Sequence, residues 1–162
     1  PRDGKVIILS GSIESGKTTL CLRFFEYFRT RGLDIKGLIC PPVIEGGMKT
    51  GIDLLNTATG EQRRLAVLRN GTAQGVLTER WQFNENTLEW GNAILKNATP
   101  CDILFVDELG LLEFERGEGW QNGLSAVDSR AYKLAVVIVR PALVEQACRR
   151  WPDAEVGRRS AD

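Results

Sequence analysis

Residues 11–18 read Gly-Ser-Ile-Glu-Ser-Gly-Lys-Thr. No other stretch constrains the fold as tightly. Just ahead lies Lys5–Ser10 (KVIILS), whose four consecutive aliphatic residues predict a strand buried on both faces. Just after, Leu20, Phe24 and Phe28 recur every fourth residue, widened by Cys21 and Phe25. That spacing predicts a helix from Lys17 to about Arg31, which Gly32 is placed to end. The glycines allow a tight turn whose dihedrals a side chain resists. Successive backbone N–H groups then point inward as an anion cradle, and the helix N-terminus adds a favourable dipole. Lys17 has the reach and charge to meet the terminal phosphates of a nucleotide, and the Thr18 hydroxyl is a ligand for Mg²⁺. Gly11, Ser12, Ile13, Glu14, Ser15, Gly16, Lys17, Thr18 and Thr19 are thus the expected nucleotide-binding run.

Two more stretches repeat the buried-strand pattern, Asp102–Asp107 (DILFVD) and Leu134–Val139 (LAVVIV). Ile35–Cys40 is a further strand, closed by Pro41-Pro42. Val43–Asn56 reads as a hairpin turning at Gly46-Gly47, with another turn at Thr59-Gly60 and strands at Arg64–Leu68 and Val76–Phe83. Helices are expected over Asn84–Asn97 (core candidates Leu88, Ala93, Ile94 and Leu95), after a loop within Glu115–Arg130, and from Pro141 to about Arg150. Buried strands alternating with helices imply a mainly parallel sheet covered on both faces, with an antiparallel addition at one edge. The 162 residues suit one domain, 1–162.

Composition removes whole classes of chemistry. There is no histidine, so no imidazole base and no His-ligated zinc. Cys21, Cys40, Cys101 and Cys148 form no C-x-x-C pair and read as small apolar core residues of a chain in a reducing cytoplasm. Lys plus Arg and Asp plus Glu are both 21, a balance that disfavours nucleic-acid coating and attraction to an anionic membrane. No apolar run approaches the roughly 18 residues that span a bilayer. Val6–Leu9 is too short for a signal-peptide core, and a chain that starts at Pro1 rather than Met is expected to be processed or trimmed.

Asp107 and Glu108 close the strand at 102–106. Ligands of parallel sheets sit at the carboxyl ends of strands, so Asp107 is placed to hold Mg²⁺ opposite Thr18. Glu108 is placed to orient and deprotonate an attacking water. A carboxylate beside the metal acid favours hydrolysis over transfer to another acceptor. About 90 residues separate the loop from Asp107, with a strand between, which suits P-loop ATPase folds carrying an inserted strand. Neither N-K-x-D nor L-S-G-G-Q occurs.

Taken together, GSIESGKTTL at 11–20, KGLICPPVIEGGMKTGIDLLNTATGE at 36–61 and VDELGLLE at 106–113 resemble the cancer-related nucleoside-triphosphatase family. The resemblance covers residues 5–140 and implies a three-layer P-loop NTPase fold. It also implies Mg²⁺-dependent hydrolysis of ATP, GTP and other nucleoside triphosphates with loose base preference. By position it carries phosphate and metal roles to Lys17 and Thr18, and metal and water roles to Asp107 and Glu108. It places Glu113 in the acidic motif, either with a site role or paired to an arginine. Two departures stand out. Cys40-Pro41-Pro42 replaces a more polar run, and Val139-Arg140-Pro141 lacks a histidine often found before the basic residue. The tail after Trp151 matches nothing in the family.

Arg140, at the end of the third buried strand, is the candidate to face charge developing on the γ-phosphate. Arg80 and Arg116 are weaker candidates, better read as ion-paired surface groups, and an arginine from a partner subunit or an oligomer stays open. Trp81, Trp90, Trp120 and Trp151 are read as packing residues, and Arg63-Arg64 and Arg149-Arg150 as solvated pairs. The expected activity is a nucleoside-triphosphate phosphohydrolase. The alternatives are a nucleotide or small-molecule kinase, which would need an acceptor pocket and an Arg-rich lid, and a nucleotide-gated switch or adaptor subunit.

Overall fold

The computed structural model describes residues 4–11, 17–68, 76–77, 81–109 and 121–159, with positions 17, 18, 76, 77, 108, 109, 158 and 159 described by backbone alone. In chain order the elements are β1 (Lys5–Gly11), α1 (Lys17–Arg29), β2 (Ile35–Ile39), β3 (Pro42–Glu45), β4 (Met48–Asn56), β5 (Gln62–Leu68), β6 (Val76–Leu77), β7 (Trp81–Phe83) and α2 (Glu85–Lys96). They continue with β8 (Ile103–Leu109), α3 (Gln121–Asp128), β9 (Leu134–Val139), a 3₁₀ turn (Pro141–Leu143), α4 (Val144–Arg150) and β10 (Glu155–Arg159). All ten strands join one sheet in the order β10-β1-β9-β8-β2-β4-β5-β7-β6, with β3 paired to β4.

The sheet has two halves of different character. β10, β1, β9, β8 and β2 run parallel to one another, while β3 to β7 are antiparallel to their neighbours. The antiparallel addition is therefore larger than the hairpin at Gly46-Gly47. Those two glycines sit at φ +58 and +78, the left-handed pair that a two-residue hairpin turn demands. In the parallel half, side chains divide strictly by alternation. Ala135, Val137 and Val139 of β9 join Val6, Ile8, Leu104 and Val106 in one apolar cluster with residues of α2, α3 and α4. Val136 and Ile138 join Leu9, Ile39 and Phe105 in the other, under Cys21 and Phe25 of α1. Helix, sheet and helix thus form three layers, and the unbroken aliphatic runs of the sequence are explained by burial on both sides.

Several expectations are corrected in detail. α1 stops at Arg29, and Gly32 at φ +70 follows a last tight turn. The centre of its apolar face is Cys21 and Phe25, with Leu20, Phe24 and Phe28 flanking and only partly buried. Val76–Phe83 is two strands rather than one: Val76 pairs Phe83 and Leu77 pairs Gln82, so the chain folds back on itself. In α2 the buried residues are Thr87, Gly91 and Leu95, a four-residue repeat that turns Ala93 out to solvent. The tail after Trp151 forms β10 along β1.

That last strand is anchored by polar contacts. The Asp128 carboxylate at the end of α3 accepts from Trp151 Nε1 at 2.8 Å and from Arg150 Nε and Nη2 at 3.1 and 2.6 Å. Arg130 donates to both carboxylate oxygens of Asp153, at 3.0 and 2.6 Å, and to the Gly4 carbonyl at 2.9 Å. Trp151 and Tyr132 are fully enclosed, and the Tyr132 hydroxyl donates to the Val127 carbonyl at 2.6 Å.

Burial pushes the Tyr132 hydroxyl up to about 12. The unfolded chain loses that proton first, near its ordinary value of 10. Between these values the unfolded state carries fewer protons, so stability falls as pH rises. Denaturant titrations from pH 9 to 12 should show a loss of roughly 1–3 kcal/mol, and Tyr132→Phe should remove that component of the slope.

Candidate active site

Because the five neighbouring strands are parallel, Gly11, Val139, Leu109, Ile39 and Arg159 all finish at the same edge of the sheet. Lys17 and Thr18 open α1 directly beyond β1, as the phosphate-loop pattern requires. Thr19 is exposed in the same first turn. Ser12, Ile13, Glu14, Ser15 and Gly16 lie outside the described residues, as do Arg80, Glu113, Arg116 and Trp120.

β9 lies between β1 and β8, the inserted strand expected from the long gap between the loop and Asp107. Asp107 is 1 % exposed, and its Oδ2 accepts a hydrogen bond from the Cys40 backbone N–H at 2.8 Å, just beyond β2. Position 107 shares the sheet face of Ile103 and Phe105, which is the face that carries α1. Cys21 reports the proximity. Its thiol is pushed far above the ordinary thiol value by burial and further by the Asp107 charge. Cys21 stands three residues after Thr18, so the Asp107 carboxylate addresses the first turns of the helix that leads out of the phosphate loop.

A feature that sequence reasoning missed lies at the acidic pair itself. The β8–β9 ladder advances from Val106 to Leu109 on one strand while it advances only from Val137 to Val139 on the other. One extra residue is therefore accommodated at Asp107–Glu108. Such bulges bend a strand and re-aim its side chains, and they gather beside active sites. Nothing in DILFVDEL signals it, since register belongs to the pair of strands and not to either one.

Arg140 directly follows β9 at the same edge, exposed, with its carbonyl accepting from the Leu143 N–H at 2.9 Å. β9, which it follows, is the strand between β1 and β8. Of the tryptophans, Trp81 and Trp151 are buried, and Trp90 lies beneath the Arg63 guanidinium, 4.0 Å from its ring centre. Cavity volume points elsewhere: a space of about 390 Å³ opens beside Arg64, Gln82, Phe83 and Asn84, three strands away from β8. It contains none of the expected site residues.

A carboxylate and a hydroxyl are hard oxygen donors, the type Mg²⁺ prefers when phosphate supplies the remaining ligands. Asp107 at the end of β8 and Thr18 at the start of α1 fit that donor set. Asp107→Ala removes the acceptor of the buried Cys40 N–H and should cost about 1–3 kcal/mol in a denaturant melt. Asp107→Asn keeps an oxygen there and should melt closer to the wild type.

Known proteins resemble this chain in sequence and in fold. The profile of the NTPase family matches residues 6–156. A nucleoside-triphosphatase THEP1 from Caldivirga maquilingensis is 28% identical over 130 residues, covering 80% of this chain and 73% of the relative. One from Methanopyrus kandleri is 28% identical over 109 residues, covering 67% of this chain and 59% of the relative. The chain thus spans well short of the full length of these curated relatives. Two solved structures share the fold. The crystal structure of THEP1 from Aquifex aeolicus superposes with a TM-score of 0.70 at 19% identity, covering 96% of this chain and 90% of that one. The solution structure of a human cancer-related nucleoside triphosphatase gives a TM-score of 0.66 at 22% identity, covering 94% and 87%. With the family profile running from β1 into β10, the chain belongs to the NTPase family.

Proposed function

We propose that the protein hydrolyses nucleoside 5′-triphosphates, ATP and GTP among them, to the diphosphate and phosphate in a Mg²⁺-dependent reaction. The observation that carries this reading is the placement of Asp107. It stands near the carboxyl end of a buried parallel strand, on the sheet face that carries the helix opened by Lys17 and Thr18, and is separated from β1 by one inserted strand.

The roles follow from chemistry and position. Backbone N–H groups from Gly11 to Thr19 hold the β- and γ-phosphates together with Lys17. Thr18 and Asp107 would hold Mg²⁺, which would supply positive charge to the phosphates. Glu108 accepts the proton of the attacking water and aims it at the γ-phosphorus. With no histidine in the chain, a carboxylate is the base available to it. Arg140 offers positive charge to the γ-phosphate oxygens as the bond to the leaving diphosphate lengthens. The nucleotide is the partner we assign, and the setting we assign is the cytoplasm, consistent with four free thiols. No helix among the described residues is long and apolar enough to cross a membrane.

Phosphate release with Mg²⁺ and excess ATP, GTP, CTP or UTP tests the reading. Lys17→Ala should lower release at least a hundredfold, the scale on which preorganised charge acts in transition states. Release from wild type no faster than from Lys17→Ala would sink the proposal. Glu108→Gln should still bind nucleotide while turnover falls by about 10²–10⁴, the range of general-base contributions. Label passing from the γ-phosphate to an added acceptor, with little free phosphate, would point to a kinase instead. Slow release that climbs steeply when a protein partner is added would point to a switch.

A further inference from the structure

At one point β2 passes β8 too closely for a side chain. Gly37 pairs with Phe105, and a Cβ at Gly37 would lie 2.0 Å from the Phe105 carbonyl oxygen. The φ of Gly37 is +108, a conformation that glycine alone adopts without strain. The carbonyl of that bent residue is held by Thr57, buried just after β4. Thr57 donates to it twice, from its backbone N–H and from its hydroxyl, both at 3.1 Å. A carbonyl oxygen has two lone pairs, and filling both from one residue fixes its direction as well as satisfying it.

Three residues further along, the same strand reaches Asp107. The Cys40 N–H donates to Asp107 Oδ2 at 2.8 Å, and Asp107 follows Phe105 by two. Two contacts therefore bracket one short stretch of β2 against one short stretch of β8. Backbone meets backbone at Gly37 and Phe105, and amide meets carboxylate at Cys40 and Asp107. Between them Leu38 and Ile39 are fully buried, one in each of the two apolar clusters. Close-packed residues have little room to absorb a shift, so a displacement at Gly37 is passed on to Cys40.

We propose that Thr57 is a positioning residue for the Asp107 carboxylate. By fixing the Gly37 carbonyl it sets where the Cys40 N–H lies, and that N–H sets the rotation of the carboxylate. The metal role of Asp107 rests on the nucleotide-hydrolase reading above, whereas the placement of the Cys40 N–H can be measured without nucleotide or metal.

Labelling with ¹⁵N-cysteine gives amide signals from Cys21, Cys40, Cys101 and Cys148 alone, and Cys40→Ser identifies the one of interest. Asp107→Asn shows where that signal falls once the charge that strengthens its hydrogen bond is gone. Thr57→Val removes the hydroxyl at nearly constant shape. It should move the Cys40 signal toward its Asp107→Asn position and speed its hydrogen exchange roughly fivefold. The Cys101 N–H, bonded to the Ala131 carbonyl, should stay unchanged. In phosphate release the same variant should need roughly fivefold more Mg²⁺ for half-maximal rate, with the rate at saturating Mg²⁺ within about twofold of wild type. Thr57→Ser should restore both, and Thr57→Ala stands in if the valine variant does not fold. An unmoved Cys40 signal would overturn the proposal, as would Cys40 and Cys101 changing together, which marks a general loosening. So would a serine variant that restores neither readout, or an unchanged Mg²⁺ requirement beside a moved signal. Wild-type protein without Mg²⁺-dependent phosphate release would overturn the hydrolase reading, and the Cys40 signal would then decide the placement by itself.

Discussion

Parallel pairing among β1, β9 and β8 is the constraint on which the site depends. In a parallel ladder every strand delivers its carboxyl end to one edge, so a loop after β1 and an acidic pair ending β8 must emerge on the same side. The intervening β9 sets their separation. Two inter-strand steps are about 10 Å in the sheet plane, so the end of β1 and Asp107 on β8 stand on either side of β9. α1 then packs over the sheet face that Asp107 shares with Ile103 and Phe105.

A buried carboxylate needs support, and the sheet provides it locally. The Cys40 N–H is freed from the ladder where β2 ends before Pro41-Pro42, and it is given to Asp107. The residues that depart from the family's more polar pattern thus have a structural task beside the site. Cys21 is the counterpart on the α1 side: small, apolar and kept protonated, it lets the helix sit close over the acidic strand end without contributing a second negative charge.

The parts that were legible in the sequence are those set by one segment's own chemistry. KVIILS, DILFVD and LAVVIV announce strands buried on both faces, and Gly46-Gly47 announces its turn. Strand order could be argued as far as the inserted strand, because the spacing between loop and acidic pair is itself a local quantity. What escaped depends on partners. EVGRR at 155–159 has no alternation and becomes a strand because β1 offers a free ladder and Asp128 and Arg130 pin the segment leading to it. Ala93 looked like core by composition, yet the face of α2 is chosen by Gly91 and Leu95 packing on the sheet side. The bulge at Asp107–Glu108 is a property of β8 and β9 together.

The margins of the sheet carry a further consequence. An open sheet of ten strands has ends at which backbone donors and acceptors face outward, a template for adding strands from other molecules. Among the described residues one end is β6, Val76–Leu77, which pairs with β7 over two residues. The other end is β10, where glutamate and two arginines occupy three of five positions and a glycine a fourth. A short margin and a charged one are two ways of discouraging the same event. The segment that completes the ladder of the phosphate-loop strand thereby also shields that strand from acting as a seed for edge-to-edge aggregation.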